Sequence, residues 1–145
     1  MQPRKPTALA LFTGLGLTAC LCAVPANAEQ PKLTIELNKL EPQDKNCRAY
    51  FVVGNDTTIE YETLRLDLVL FQPDGIIGRR LAVNLAPLKA AKKVVKQFDL
   101  EGLGCDQIGS LLINDVLECK VTGGAATDCL AGLAVTSLTK VQLSK

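Results

Sequence analysis

The sequence predicts an all-β protein, a seven-stranded antiparallel β-sandwich with immunoglobulin-like topology that two disulfides stabilise. Short segments of alternating apolar and polar residues recur along the chain, and turn-forming residues separate them. No segment keeps the periodicity of an amphipathic helix over a long stretch. Four cysteines follow the N-terminal signal, an even number that suits a small domain in an oxidising compartment.

The first three predicted strands each have one apolar face. Segment 32–40 alternates apolar and polar residues, and segment 47–55 does the same after a polar turn. Segment 61–71 is the clearest, because leucines at every second position form one face while Arg65 and Asp67 interrupt the other. The three apolar faces consist of Leu33, Ile35 and Leu37, of Cys47, Ala49, Phe51 and Val53, and of Leu64, Leu66, Leu68 and Leu70.

The remaining four strands follow turn-forming residues. The turn at Gln72-Pro73-Asp74-Gly75 reverses the chain, because Pro73 fixes its φ and Gly75 accepts a positive φ, so the next segment returns as a hairpin partner. A helix around 108–117 is the alternative for the sixth segment, although Gly109, Asn114 and Val116 disfavour it. The four segments are 76–85, 92–100, 108–119 and 133–143.

The N-terminal residues 1–28 have the parts of a cleaved signal peptide. Arg4 and Lys5 carry positive charge, and an apolar segment follows from residue 8 to residue 24. This segment is short for a membrane span, and no later part of the chain reaches about 18 consecutive apolar residues. The sequence therefore predicts an exported protein with no transmembrane span, whose single domain comprises residues 29–145.

Two cleavage sites compete within this signal. Cleavage between Ala28 and Glu29 releases a periplasmic or secreted protein by the general secretion route. Cleavage before Cys20, in the lipobox-like Leu17-Thr18-Ala19-Cys20, instead leaves a lipid-anchored protein, an envelope assembly or maintenance factor. We favour release, because the lipid-anchored form leaves Cys22 as an unpaired thiol beside the membrane. The lipoprotein remains the alternative.

The middle of the chain resembles a known type of secreted domain. The segment LRLDLVLFQPDGIIGRRLAVNLAPL (64–88), followed by Phe98-Asp99-Leu100, is similar to small secreted bacterial sandwich domains with an F-x-x-D-G hairpin and a Pro-Leu corner. More specifically, residues 33–143 resemble an uncharacterised bacterial family often labelled as having a twin-arginine signal sequence. The resemblance implies an immunoglobulin-like sandwich in an exported protein, and it carries no catalytic motif. Arg4-Lys5 stands where twin arginines would be needed, so general secretion is the expected route.

Strand direction predicts how the four cysteines pair. If the first strand runs upward, the start of the second strand and the corner between the fifth and sixth strands both lie at the top. Cys47 and Cys105 are then neighbours, and the sixth strand carries Cys119 down to the loop that contains Cys129. The other two pairings would span the length of the sandwich, far beyond the ~6 Å that is typical between bridged Cα atoms.

The composition excludes several classes of chemistry. The chain contains no histidine and no tryptophan, and its single methionine is Met1. Histidine-based nucleophile pairs, histidine-ligated zinc and haem, and Met/His copper sites cannot be built from this chain. Without Arg4 and Lys5, 14 of the 16 basic residues remain against 15 acidic ones, which gives no global electrostatic case for nucleic-acid binding. We expect no enzymatic activity, no metal and no cofactor.

Two surfaces are candidates for binding an unknown protein or envelope partner. Gly123 and Gly124 lie in the small-residue loop between Cys119 and Cys129, where a partner contact or insertion into a hydrolase as an inhibitor is one interpretation and an ordinary braced connection the other. The second candidate is a basic surface for weak contact with anionic envelope components, unless its cations serve to block sheet aggregation. Its residues are Arg79, Arg80, Lys89, Lys92, Lys93 and Lys96. The sequence thus predicts a non-enzymatic interaction module.

Overall fold

A computed structural model describes residues 33–125 and 129–145, and these residues form nine β-strands and one short 3₁₀ turn. The strands are β1 (Leu33–Gln43), β2 (Asn46–Asn55), β3 (Tyr61–Phe71), β4 (Ile77–Asn84), β5 (Lys92–Leu100), β6 (Ser110–Val121), β7 (Gly124–Ala125), β8 (Leu133–Ser137) and β9 (Gln142–Ser144). The 3₁₀ turn, Cys105–Gln107, lies between β5 and β6. Both cleavage sites, at Cys20 and at Ala28–Glu29, lie outside the described residues.

The strands form two sheets that pack face to face. The first sheet has the order β5-β2-β1-β8, and the second has β4-β3-β6, with β7 and β9 both pairing with β6. Most neighbouring strands are antiparallel, but β8 runs parallel to β1 and β9 runs parallel to β6. In the part of the chain that the structure describes, no helix is long and apolar enough to cross a membrane.

The core lies between the two sheets and consists of the apolar faces that alternation predicts. The predicted inward residues of β1, β2 and β3 are all 3% exposed or less. Phe98 on β5 meets Phe51 on β2 edge to face, with the ring centroids 5.9 Å apart. Since full burial of one Leu or Phe side chain contributes about 1.5–3 kcal/mol, this interface is the main source of the fold's stability.

The all-β sandwich is confirmed, with differences in the number and direction of its strands. Residues 110–117 of the segment that could have been helical lie in strand β6, so the helical alternative is wrong. The last predicted strand is divided into β8 and β9 because side-chain hydroxyls turn the chain between them. Ser137 Oγ accepts a hydrogen bond from the Thr139 amide at 3.1 Å and donates one to the carbonyl oxygen of Val141 at 2.6 Å.

Both predicted disulfides are present. Cys47–Cys105 joins the start of β2 to the 3₁₀ turn, with the Cα atoms 4.8 Å apart, and closes 58 residues. Cys119–Cys129 has its Cα atoms 6.5 Å apart and closes 10 residues. The strand registers place the two bridges at opposite ends of the sandwich. We call the end with Cys47–Cys105 and the β3–β4 turn the hairpin end, and the other the Asn55 end.

Asn55 organises the end that carries its name. Its side chain is fully buried. The amide nitrogen donates hydrogen bonds to the carbonyl oxygens of Ile59 at 2.8 Å and Lys89 at 3.0 Å, and the Oδ1 atom accepts from the Thr57 hydroxyl at 2.7 Å. One buried amide, whose donors and acceptor are satisfied, therefore links the β2–β3 loop to the segment between β4 and β5, beside the backbone hydrogen bonds that also join them.

Candidate functional site

The turn between β3 and β4 forms as the sequence predicts and is internally hydrogen-bonded. The Gln72 amide donates to the carbonyl oxygen of Ile76 at 2.8 Å, and the Gly75 amide donates to that of Gln72 at 2.9 Å. Asp74 Oδ1 accepts from the Ile76 amide at 3.0 Å. Gly75 has a φ of 84°, a left-handed conformation that glycine adopts without strain. Local chemistry thus fixes the shape of this turn.

Long-range contacts hold the same turn against the corner between β5 and β6. The Gly109 amide donates to the carbonyl oxygen of Phe71 at 2.7 Å. A Cβ atom on Gly109 would lie 2.5 Å from the carbonyl oxygen of Gln72, so only glycine permits this approach. The Arg79 guanidinium donates a hydrogen bond to the carbonyl oxygen of Glu101. Because Cys105 anchors the corner to β2, the hairpin is braced by a covalently fixed segment.

Two adjacent isoleucines are exposed at the tip of this braced hairpin. Ile76 is 63% exposed and Ile77 is 61% exposed. Ile77 pairs with Phe71 at the start of β4, an edge strand that has no further strand beside it to cover its side chains. Alternation along β4 did not predict this exposure. A partner that buries both side chains would gain the apolar transfer free energy that folding leaves unused.

Three carboxylates lie at the same end of the sandwich as the isoleucines. Asp74 on the turn, Glu101 after β5 and Asp106 in the 3₁₀ turn are all exposed. Across residues 33–125 and 129–145, none of the three forms a salt bridge. Asp44 and Lys45, in the β1–β2 turn at this end, have opposite charges and balance each other. Arg79 is exposed at this end as well, so three carboxylates stand against one guanidinium, and the hairpin end presents an apolar tip with an acidic margin.

The structure does not bring the predicted basic residues into one surface. Arg79 and Arg80 lie near the hairpin end, whereas Lys92 and Lys93 lie at the start of β5, at the Asn55 end. Successive residues of a strand also point to opposite faces, so Arg79 points inward, where it reaches the carbonyl oxygen of Glu101, while Arg80 points outward. The cations are distributed over both ends of the sandwich, on β4 in the second sheet and on β5 and the segment before it in the first.

Arg80 forms an ion pair with Asp67 of β3. The sequence pattern identified Asp67 only as a residue that interrupts the second face of this strand. Asp67 is 3% exposed although it lies on the outer face of the second sheet. Its two carboxylate oxygens accept hydrogen bonds from Arg80 at 2.7 and 2.6 Å, and Asn114 donates a third at 2.7 Å. The Arg80 guanidinium, aided by Asn114, lowers the pKa of Asp67 below its ordinary value. This cluster is satisfied and has the character of a structural ion pair.

The loop between Cys119 and Cys129 begins as a tight hairpin. Strands β6 and β7 pair across a turn that contains Gly123, where φ is 91°, and Gly124 follows with a φ of 157°. The Thr122 amide donates to the carbonyl oxygen of Glu60 at 3.0 Å, so the turn is attached to the start of β3. Both glycines are exposed. Residues 126–128 of the predicted interaction loop lie outside the described residues.

Comparison with known proteins gives a likeness of fold. No family model matches the sequence, and no curated protein matches it. The chain is similar to a solved structure of IrmA from Escherichia coli, with a TM-score of 0.52 and 12% sequence identity. The alignment covers 73% of this chain and 92% of the IrmA chain. At this level of identity the likeness shows a shared β-sandwich fold.

Proposed function

We propose that this chain is an exported, non-catalytic module that binds another protein through its hairpin end. The observation that carries the proposal is the pair of adjacent isoleucines, each more than 60% exposed, on a turn that is braced by hydrogen bonds and a disulfide. A chain without histidine, whose four described cysteines are joined in disulfides, fits binding better than catalysis. The two disulfides also fit a periplasmic or secreted protein, because such bridges persist in oxidising compartments.

Rigidity makes the hairpin suitable for binding. A flexible loop must lose conformational entropy when it binds, whereas a turn fixed by Gly75, Gly109 and the Cys105 corner is already ordered. Binding energy at protein interfaces is concentrated in a few well-buried anchor residues. Ile76 and Ile77 are positioned to act as such anchors.

The acidic margin specifies the chemistry of the partner. Asp74, Glu101 and Asp106 would face the edge of any pocket that receives the isoleucines. Complementary charge at an interface favours encounter with the correct partner and disfavours incorrect ones. We therefore propose a protein partner that has an apolar pocket with basic residues at its margin.

The arrangement of the sheets supports assignment to the immunoglobulin-like sandwiches. In such folds, consecutive strands are divided between two facing antiparallel sheets. Here β1, β2 and β5 lie in one sheet while β3, β4 and β6 lie in the other, with antiparallel β2–β5 and β3–β6 pairs. The loops at the ends of these sandwiches are common binding sites, which agrees with the proposed role of the hairpin end.

Site-specific photo-crosslinking in the organism's own cells tests the proposal. A benzophenone amino acid replaces Ile77 in one variant and Val95 in the control, which is 65% exposed on the outer face of β5. We expect a discrete adduct from position 77 that excess unlabelled protein suppresses and that excess Ile76→Ser/Ile77→Ser protein does not. The same adduct from both positions, or an adduct that wild-type protein cannot suppress, would contradict the proposal.

Charge reversal tests the acidic margin independently. Glu101→Lys and Asp106→Lys should each weaken the adduct from position 77 several-fold, because they oppose a basic pocket margin. Asp56→Lys is the matched control, since Asp56 is exposed at the Asn55 end. Each variant's urea unfolding midpoint is measured to confirm that the fold is intact. Equal effects of all three reversals would remove the case for a charge-complementary partner.

Two other interpretations of the sequence stay predictions. A lipid anchor at Cys20 would be detected in the intact mass of the exported protein, as an acylated form in place of a chain that begins at Glu29. An inhibitory role for the Gly123-Gly124 loop predicts that the protein slows a hydrolase of its own compartment. Substitution of the hairpin isoleucines would leave that inhibition unchanged, which separates it from the proposed binding mode.

A further inference from the structure

The edge strands of the two sheets differ in whether they carry charged side chains that disfavour the addition of another strand. On one side, β4 and β5 each direct a cation inward: Arg79 reaches the carbonyl oxygen of Glu101, and Lys96 donates to that of Ala86 at 3.2 Å. Inward-pointing cations on an edge disfavour the addition of another strand. On the other side, β8 has the sequence LAVTS, with no charge and no proline. Strand β8 is thus an edge of the first sheet that carries no charged residue of its own; Lys145 bonds to the carbonyl oxygen of Leu130 before the strand begins.

The backbone of β8 is free to accept a neighbour on its outer side. The Leu33 amide donates to the carbonyl oxygen of Gly132, and the Leu138 amide donates to that of Leu37. In a parallel ladder, alternate residues of β8 therefore bond to β1, while the amide and carbonyl groups of Val135 and Ser137 point away from it. Among the described residues, these outward groups have no backbone partner.

A second copy of this chain fits the edge. Antiparallel pairing of β8 with itself about Val135 places Leu133 opposite Ser137, and no like charges meet. The same pairing places Leu138, which is 68% exposed, opposite Gly132, whose lack of a side chain leaves room for it. Self-pairing of β5 would instead bring lysines together. We propose that two copies of the protein associate through their β8 strands and form one continuous eight-stranded sheet.

The pairing is isologous, because the same strand of each copy is both donor and acceptor. A contact through a single short strand buries little area, so dissociation in the micromolar range is expected. This association does not involve the hairpin end, since the β3–β4 turn belongs to the other sheet.

Sedimentation equilibrium of the purified mature protein, from low micromolar to several hundred micromolar, tests the association. We expect a mass that rises to twice that of the monomer. Ala134→Lys/Thr136→Lys places lysines of one copy opposite those of the other and should raise the dissociation constant by about tenfold or more. Val95→Lys/Gln97→Lys adds the same two charges to the same face at the opposite edge, and it should leave the association unchanged.

Hydrogen exchange of the wild-type protein gives a second measurement that needs no variant. Protection of the Val135 and Ser137 amides should increase with protein concentration, because dimerisation pairs them. A wild-type mass that stays monomeric throughout the range overturns the proposal. So does a dimer that persists unchanged in the Ala134→Lys/Thr136→Lys variant, since that dimer would use another surface. Protection of these two amides that does not depend on concentration is likewise a negative result.

Discussion

The two ends of the sandwich are fastened by opposite means. At the hairpin end the long-range connection is covalent, since Cys47–Cys105 joins β2 to a segment 58 residues later. At the Asn55 end the disulfide is local, closing 10 residues, and the long-range connection is non-covalent: the buried Asn55 amide acts together with the paired backbones of Tyr61 and Leu88. Both arrangements hold loops that the sheets alone would leave free to move.

The difference shows where this small domain can expose apolar side chains. A disulfide keeps its strength whether or not water reaches it, so the hairpin end can carry Ile76 and Ile77 in contact with solvent. A buried amide holds its loops only while water is excluded. The Asn55 end accordingly keeps Asn55 fully buried, and its exposed isoleucine, Ile59, is only 42% exposed.

The largest effect is expected from removing the long bridge. Cys47→Ala/Cys105→Ala should lower the free energy of unfolding by about 4 kcal/mol, because a bridge of this length greatly restricts the unfolded chain. Cys47 is also fully buried, so its truncation adds a small cavity. Urea unfolding measures the loss. A smaller loss than that from the other bridge would contradict the assignment of the hairpin end as the covalent end.

Removing the short bridge should cost less. Cys119→Ala/Cys129→Ala is expected to lower the unfolding free energy by about 3 kcal/mol, because it closes only 10 residues. The adduct from position 77 should persist, since the bridge lies at the opposite end. Because the bridges are far apart, the two losses should add in a variant lacking both, provided that it still folds. Loss of the adduct would show that the ends are not independent.

Asn55 tests the non-covalent fastening. Asn55→Ala should cost about 2 kcal/mol, because it leaves buried carbonyl oxygens without donors. Asn38→Ala is the control: Asn38 is exposed and bonds only to Glu36, so about 0.5 kcal/mol or less is expected. Amide exchange should increase in the β2–β3 loop and in the segment between β4 and β5. Uniform increases across both ends would instead indicate a global effect.

Asp67 lies midway between the two ends, and its substitution is expected to change the stability least. Its pKa is lowered in the folded protein, so its stabilising contribution is complete above the unfolded value of about 3.9 and decreases as the pH falls below it. Asp67→Asn should therefore flatten the decline of stability as the pH falls below about 4. Asp99→Asn, which removes an exposed Arg48 pair, should flatten it less. Equal changes would contradict the importance of burial.

The regular part of the fold could be predicted because its signal is local. Strands β3 and β5 coincide with the predicted segments 61–71 and 92–100, where apolar residues recur at every second position except at Lys96. The disulfide pairing required only the direction of successive strands. Alternation predicted one strand over 133–143, where the structure has two. The apolar residues keep an even spacing across the turn that Ser137 stabilises, so the pattern does not show where the first strand ends. These residues are Leu133, Val135, Val141 and Leu143.

The candidate site depends on contacts that no local pattern contains. Ile76 and Ile77 are consecutive, so a two-residue period cannot assign both to one face, and their exposure follows from the position of β4 at an edge. Asp106 joins them only because Gly109 packs on the turn after a long stretch of chain. The role of Asn55 likewise rests on carbonyl groups more than thirty residues later. Such proximity requires the folded chain.

The buried Asn55 has a practical consequence for producing the protein. Asn55-Asp56-Thr57 matches the acceptor sequence for N-linked glycosylation, and the nitrogen that would carry the sugar is the one that donates to Ile59 and Lys89. In a eukaryotic secretory host, a glycan attached before folding would prevent that nitrogen from entering the interior. A bacterial host with an oxidising periplasm avoids the modification and still forms both disulfides.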